Sequence, residues 1–441
     1  MHKVSILGCG YVGLVSGVGI AKFGNEVICA DTNAHKIENL NKMIMPISEP
    51  GLKELVQETY SLGRLSFSSD IKKSIRDCDA VIISVQTPQD KDGSADLSYV
   101  MQVSKDIAEQ LEKSTVVIIK STVPIGTAKK IRKLINTILA ERKAGFSIEV
   151  VSNPEFLREG SAVNTFLYPD RIVVGYSGNK DVFAMMGEIY KSPVENGIPL
   201  IKCSNETAET IKYAANSFLA MKISYINQIA LLCEKTGADI KIVAEAVGSD
   251  ERINPKFLNP GPGYGGSCFP KDTRALVKIA EGYDIDLSII RTAYEANTKH
   301  KDILARKAVK IVKENNGNVL GIWGLSFKAG SGDMRNAPAL DILPLIIKNG
   351  IKLRVFDPKA MEEASEYLSE YKSMIEFCKN KNEVLDGADA LMILTEWDCF
   401  KNADLEKTAT LLQQKILLDY RNIYDSSDAK RLGYLYYGVG K

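Results

Sequence analysis

Histidine is scarce in this chain. Only three occur in 441 residues, His2, His35 and His300, and none sits in a metal-ligand spacing. Acid–base chemistry must therefore run mainly on other groups, and no metal is called for. The eight cysteines, at 9, 29, 78, 203, 233, 268, 378 and 399, come no closer than twenty positions, which excludes C-x-x-C zinc and redox motifs. Scattered over so long a chain, they read as free thiols in a reducing compartment rather than a disulfide framework. Charge bias is missing too: 56 Lys and Arg oppose 55 Asp and Glu, a net charge of +1 that gives no general attraction to nucleic acid or anionic lipid. Apolar runs such as AVIISV and TVVII are strand length, far short of the roughly 18 residues a spanning helix needs. The N-terminal VSILGCGYVGLVSGVGIA has some signal-peptide character, but five glycines interrupt it. A soluble, cytoplasmic protein is expected.

The length allows about three domains. Over the first 130 residues, β-branched runs alternate with helical stretches: KVSILG (3–8), EVICAD (26–31), AVIISV (80–85) and TVVIIKS (115–121). Buried parallel strands look like this, and the alternation predicts a doubly wound α/β sheet, with further strands at 148–153 and 171–176. A long helix is predicted from Ser204 to about Lys235, with Asn205 as N-cap and Gly237 as stop, and another over 286–314. The last 125 residues repeat the opening grammar. VLGIWGLSFK (319–328) resembles the first strand and its turn, KLRVFD (352–357) ends in aspartate as EVICAD does, and GADALMIL (387–394) echoes DCDAVIIS (77–84). A second α/β domain of similar topology follows from this.

Gly8-Cys9-Gly10-Tyr11-Val12-Gly13 is a G-x-G-x-x-G between strand and helix. Its glycines allow a tight turn, close approach of a pyrophosphate, and close packing of a helix whose N-terminal amides face the phosphates. Asp31 ends the next strand, eighteen residues past Gly13, where a carboxylate holds a ribose 2′-hydroxyl and repels a 2′-phosphate. The pattern points to NAD rather than NADP, with Lys36 near the adenosine side.

Four further clusters draw attention. Ser121-Thr122-Val123-Pro124, with Gly126-Thr127, lies at the carboxyl end of a strand, where open α/β sheets place ligands, although a well-capped strand–helix junction reads the same way. NPEFLREG (153–160) carries Glu155 and Glu159, four apart, which otherwise read as solvated helix charges. Lys212 and Asn216 share a helix face with Ala208, Ala215 and Ala220, which suggests a pocket floor, a solvated lysine being the alternative. Finally, the glycine-dense GPGYGGSCFPKD (261–272) delivers Cys268 just before Pro270. A thiol at a helix N-terminus beside a lysine should have a lowered pKa, whereas the other seven cysteines read as inert and buried. NAD with an activated thiol implies oxidation of an alcohol to an acid in two steps, through a thiohemiacetal and a thioester.

These clusters, in this order, closely resemble the UDP-glucose/GDP-mannose dehydrogenase family. PISEPGL (46–52), 209–227 and GLSFKAGSGDMRNAP (324–338) extend the match over almost the whole chain. NPEFLREG followed by YPDRIVVG looks like the branch acting on UDP-glucose, with UDP-N-acetylhexosamine or GDP-mannose as the alternative substrate. Ser48 stands where family members often have tyrosine. The resemblance implies two Rossmann-like doubly wound domains joined by a central helical domain with a long connecting helix. It assigns 1–203 to NAD, 204–314 to dimerisation of a homodimer, and 315–441 to the sugar nucleotide. It implies Cys268 as nucleophile, Lys212 and Asn216 as oxyanion donors, and Asp272 and Thr122 for water and proton handling. Glu155 and Glu159 would assist thioester hydrolysis, with Glu159 and Thr122 bordering the cofactor. Thr87 and Arg335 would also contact NAD. The substrate would meet Glu155, Phe156, Leu157, Glu159, Lys212, Asn216, Phe257, Gly265, Phe327, Lys328 and Arg421, with Arg252 reaching toward a partner subunit's sugar nucleotide.

Overall fold

A computed structural model describes residues 1–90 and 92–441. The chain forms two compact units, Met1–Ala215 and Asn216–Lys441.

The first unit is built on an eight-stranded sheet: β1 (Lys3–Leu7), β2 (Glu26–Ala30), β3 (Leu65–Ser68), β4 (Ala80–Ile83), β5 (Thr115–Ile119), β6 (Ile148–Ser152), β7 (Ile172–Gly175) and β8 (Leu200–Cys203). Its order is β3-β2-β1-β4-β5-β6-β7-β8. All pairings are parallel except β6 with β7. Helices cover both faces, so AVII of β4 and TVVII of β5 are buried at every position, as the unbroken apolar runs require. Helix α1 (Tyr11–Lys22) packs unusually close to the sheet. A Cβ on Gly17 would stand 2.3 Å from Cys29 Sγ, and one on Gly19 2.1 Å from the Phe166 ring. The five N-terminal glycines thus serve this packing and the turn before it. The remaining helices used below are α2 (Leu52–Ser61), α3 (Ala162–Leu167) and α4 (Asn205–Thr236), the last of which contains the division between the units.

Ser204, whose Oγ accepts from Thr207 N at 3.2 Å, caps α4 in place of Asn205, which is the first residue of the helix and whose side chain works elsewhere. Its Oδ1 accepts from Ser152 N at 2.8 Å and its Nδ2 donates to Val150 O at 3.1 Å, pinning the helix start to β6. Gly237 ends the helix with φ +77°.

The second unit contains the rest of α4, α5 (Phe269–Glu281), α6 (Ser288–Glu314) and a six-stranded parallel sheet. Its strands are β9 (Val319–Trp323), β10 (Lys352–Phe356), β11 (Ile375–Phe377), β12 (Ala390–Ile393), β13 (Ile416–Asp419) and β14 (Leu435–Gly438). The order β11-β10-β9-β12-β13-β14 repeats that of the first six strands of the other sheet. Both are the doubly wound dinucleotide-fold order, with a switch point beside the first strand. Helix α6 buries Ala293, Asn297, His300, Lys301, Leu304 and Ala308, spaced as one helical stripe.

Candidate active site

In the first unit the residues of the fingerprint meet at the switch point between β1 and β4. Gly8 turns the chain at φ +101°, and a Cβ on Gly13 would fall 1.8 Å from Gly8 O, so α1 can only start this close to the turn with glycine there. Gly10, between them, faces open space: among the described residues nothing lies within 4 Å of where its Cβ would be, and no side chain caps α1. Tyr11 and Val12 form the first turn of the helix. Open backbone at an uncapped helix N-terminus is the cradle a pyrophosphate needs. Asp31 follows β2 and accepts from Cys9 N (2.9 Å), Asn33 N (2.9 Å) and Lys36 Nζ (2.8 Å). Burial alone would raise this carboxyl, but those bonds outweigh it and hold it below its ordinary range. Lys36, expected near an adenosine, is therefore committed to Asp31. These residues fit NAD. Thr87 is buried after β4 and Thr122 half-buried after β5, both at carboxyl ends of strands.

The NPEFLREG segment follows β6 as a loop, so Glu155 and Glu159 are not helix-face charges. Glu155 is buried. Its Oε1 accepts from Lys212 Nζ at 2.8 Å, its Oε2 from Leu157 N at 2.5 Å, and Lys212 also donates to Glu155 O at 2.8 Å. Desolvation pushes the Glu155 carboxyl up. Lys212, the Leu157 amide and Lys120 together overcome this and leave it below the usual range. Lys212 is 4% exposed, so the solvated alternative fails. Phe156 lies under Arg171, whose guanidinium is 3.9 Å from the ring centroid. Leu157 and Glu159 are half-buried.

In the second unit Cys268 is exposed and is the N-cap of α5, with proline in the first turn behind it. Beneath it, Asp272 is fully buried, accepting from Asn216 Nδ2 at 2.6 Å and from Lys271 Nζ at 2.8 Å. Lys271 thus pairs with Asp272. Exposure alone does not single out Cys268: five of the other seven cysteines are buried, but Cys203 is half-buried and Cys399 exposed. Partial burial pushes the Cys399 thiol up.

The glycine loop fits its surroundings tightly. A Cβ on Gly265 would lie 2.2 Å from Asn336 O, and one on Gly266 2.9 Å from the Phe327 ring. Phe327 and Lys328 are half-buried on the loop after β9. Arg421 braces that loop, donating to Phe327 O (2.9 Å) and Leu394 O (2.7 Å), with Glu396 3.1 Å away. Arg335 is exposed and paired with Asp333, and Arg252 is exposed and paired with Asp250. Phe257 adopts φ +68° and packs at a tilt against Phe269, with ring centroids 6.0 Å apart.

Three family models match in succession: the NAD-binding domain of the UDP-glucose/GDP-mannose dehydrogenase family over residues 2–194, its central domain over 206–299 and its UDP-binding domain over 321–426. The chain is 42% identical to UDP-glucose 6-dehydrogenase TuaD of Bacillus subtilis, covering all of this chain and 94% of that one. The chain belongs to the UDP-glucose/GDP-mannose dehydrogenase family. A UDP-glucose 6-dehydrogenase of Rhizobium meliloti is 41% identical over 100% of this chain and 99% of its own length. Among solved structures, a UDP-glucose dehydrogenase from Pyrobaculum islandicum matches with TM-score 0.88 and 34% identity, covering 100% of this chain and 98% of the other.

Within this family member, sequence reasoning missed the groups that hold the cysteine loop. Asn227 accepts from Gly261 N at 2.9 Å. Asn297 grips the Tyr264 backbone at both ends, Tyr264 N to Oδ1 at 2.9 Å and Nδ2 to Tyr264 O at 3.1 Å. His300 Nε2 lies 2.8 Å from Gly261 O. All three are buried polar side chains on α4 and α6. Polar residues recurring on the apolar stripe of a helix were the available signal.

Proposed function

We propose that this chain is a UDP-glucose 6-dehydrogenase, oxidising UDP-glucose to UDP-glucuronate with two NAD. The observation that carries the reading is Cys268, an exposed thiol at a helix N-terminus over the Asp272–Asn216 pair, in a chain about as similar to two such dehydrogenases along its full length. NAD, when bound, supplies the hydride acceptor for each of the two oxidations.

The substrate C6 alcohol loses a hydride and a proton to give an aldehyde. Cys268 Sγ then adds to the aldehyde carbon while a proton reaches the oxygen, forming a thiohemiacetal. Loss of a second hydride and proton leaves a thioester. Water adds to its carbonyl, the C–S bond breaks, and the thiolate returns as the carboxylate leaves. The α5 N-terminus favours the thiolate. Lys212 and Asn216 stabilise oxyanion character, Asp272 and Thr122 hold water and relay protons, and Glu155 and Glu159 assist hydrolysis. Gly8, Gly10, Tyr11, Val12, Gly13, Asp31, Lys36, Thr87, Thr122, Glu159 and Arg335 contact NAD. Phe156, Leu157, Phe257, Gly265, Phe327, Lys328 and Arg421 bind the substrate, and Arg252 extends to a sugar nucleotide in the partner subunit.

Three divisions of labour accompany this reading: 1–203 for NAD, 204–314 for dimerisation, and 315–441 for the sugar nucleotide. The homodimer is supported by Phe218, Tyr225 and Leu232, which are 56%, 51% and 58% exposed. Their seven-residue spacing along α4 makes one apolar seam. Light scattering should give twice the chain mass. Eight free cysteines support a reducing cytoplasm, and no described helix is long and apolar enough to cross a membrane.

The test of specificity is kcat/KM on UDP-glucose, UDP-N-acetylmannosamine and GDP-mannose. UDP-glucose should lead by about a hundredfold or more. A higher value on either of the others would overturn the assignment.

A further inference from the structure

The PISEPGL segment has no part in the chemistry above, yet its Glu49 is buried at 8% exposure. A buried carboxylate is costly unless donors surround it. Here the donors come from two other parts of the chain. Tyr11 Oη donates to Oε2 in a short hydrogen bond, and Gly160 N donates to the same oxygen at 2.9 Å. Ala162 N donates to Oε1 at 2.5 Å. Tyr11 opens α1 inside the cofactor turn, and Gly160 and Ala162 run from the Glu155–Glu159 loop into α3. The Glu49 backbone is fixed in turn: Leu52 N donates to Glu49 O at 3.2 Å, and Gly51 enters α2 at φ +77°. Burial, the Glu49 hydrogen bond and the charges of Glu49 and Glu159 push the Tyr11 hydroxyl far up, so it remains a donor.

We propose that Glu49 is a positioning residue that couples the cofactor turn to the loop bearing Glu155 and Glu159. Only an acceptor at both oxygens suits three donors, which is why a carboxylate rather than an amide stands here. Seating of NAD on the α1 turn then fixes Tyr11, Glu49 and the 155–162 loop as one piece. The catalytic consequence rests on the function proposed above, but the coupling itself does not.

The test uses the full chain, with Glu49→Gln, Tyr11→Phe and the double variant. Hydrogen exchange of residues 155–162 is followed with and without NAD, and kcat and the NAD Kd are measured alongside. In the unsubstituted chain NAD should slow exchange across 155–162, and in either single variant saturating NAD should no longer do so. kcat should fall about tenfold or more in Glu49→Gln, and the double variant should be no worse than that single one. If NAD still protects the loop in the variants, or if the two losses simply multiply, the coupling is wrong. Should Glu49→Gln fail to fold, Tyr11→Phe decides alone, since it removes one hydroxyl: retained NAD-driven protection overturns the proposal. A chain inactive on UDP-glucose but showing the exchange pattern would refute the proposed function and leave the coupling standing.

Discussion

The two sheets share a strand order but treat the turn after their first strand differently. In the first unit β1 passes through residues 8–10 directly into α1, leaving open backbone at Gly10. In the second, β9 runs into a long loop, 324–337, before the next helix begins at Pro338. A Cβ on Gly324 would fall 2.5 Å from Thr395, so that turn is filled by protein. The aspartates after the second strands differ likewise. Asp31 takes three hydrogen bonds, from Cys9 N, Asn33 N and Lys36 Nζ, whereas Asp357 is 1% exposed and takes six, from Leu325 N, Ser326 N, Ser326 Oγ, Trp397 Nε1, Lys359 N and Ala360 N. One topology thus gives an open turn in one unit and a self-sealed loop in the other. Topology sets where a site can be, and the turn decides what it takes.

The largest expected effect separates the thiol from the cofactor turn. Cys268→Ser should lower steady turnover by about a thousandfold or more, while calorimetric NAD affinity stays within about twofold. Loss of NAD binding in that variant would break the division. Next, Gly10→Ala adds a methyl group where the protein leaves space. Its melting temperature should hold while the NAD KM rises about tenfold or more, whereas Gly324→Ala should lower the melting temperature and leave NAD affinity alone. The aspartates sharpen the contrast further. Asp31→Asn should weaken NAD by about tenfold and narrow the preference over NADP, measured by kcat/KM on each. Asp357→Asn should instead cost about 1–3 kcal/mol in denaturant unfolding, since buried donors lose an ionised acceptor. The smallest effect concerns His300, whose imidazole burial holds below its ordinary pKa. The unfolded chain then binds the proton more readily, so this contribution to stability is full above about pH 6.5 and declines as the pH falls below it. Melting curves of His300→Gln should show a shallower decline over that range.

Much of this was legible in the sequence. The fingerprint turn, the strands with unbroken β-branched runs and both long helices lie within a few residues of their expected places, because local period and glycine spacing determine them. The short strands β3 (LSFS), β11 (IEF) and β14 (LYYG) were not, since three or four residues of mixed character pair only because a neighbouring strand offers an edge. Among candidate site residues, Cys268, Glu155 and Lys212 stand out by the segments that carry them, whereas the bond between Glu155 and Lys212 joins two distant segments and was not legible. The supports Glu49, Asn227 and Asn297 do not, because their role is to satisfy backbone groups brought together by distant parts of the chain.

The central claim is a four-electron oxidation of UDP-glucose at Cys268. It is tested most directly by counting NADH formed per UDP-glucose consumed at completion. The account predicts two. A ratio of one, with the aldehyde as product, or no NADH at all, would contradict it.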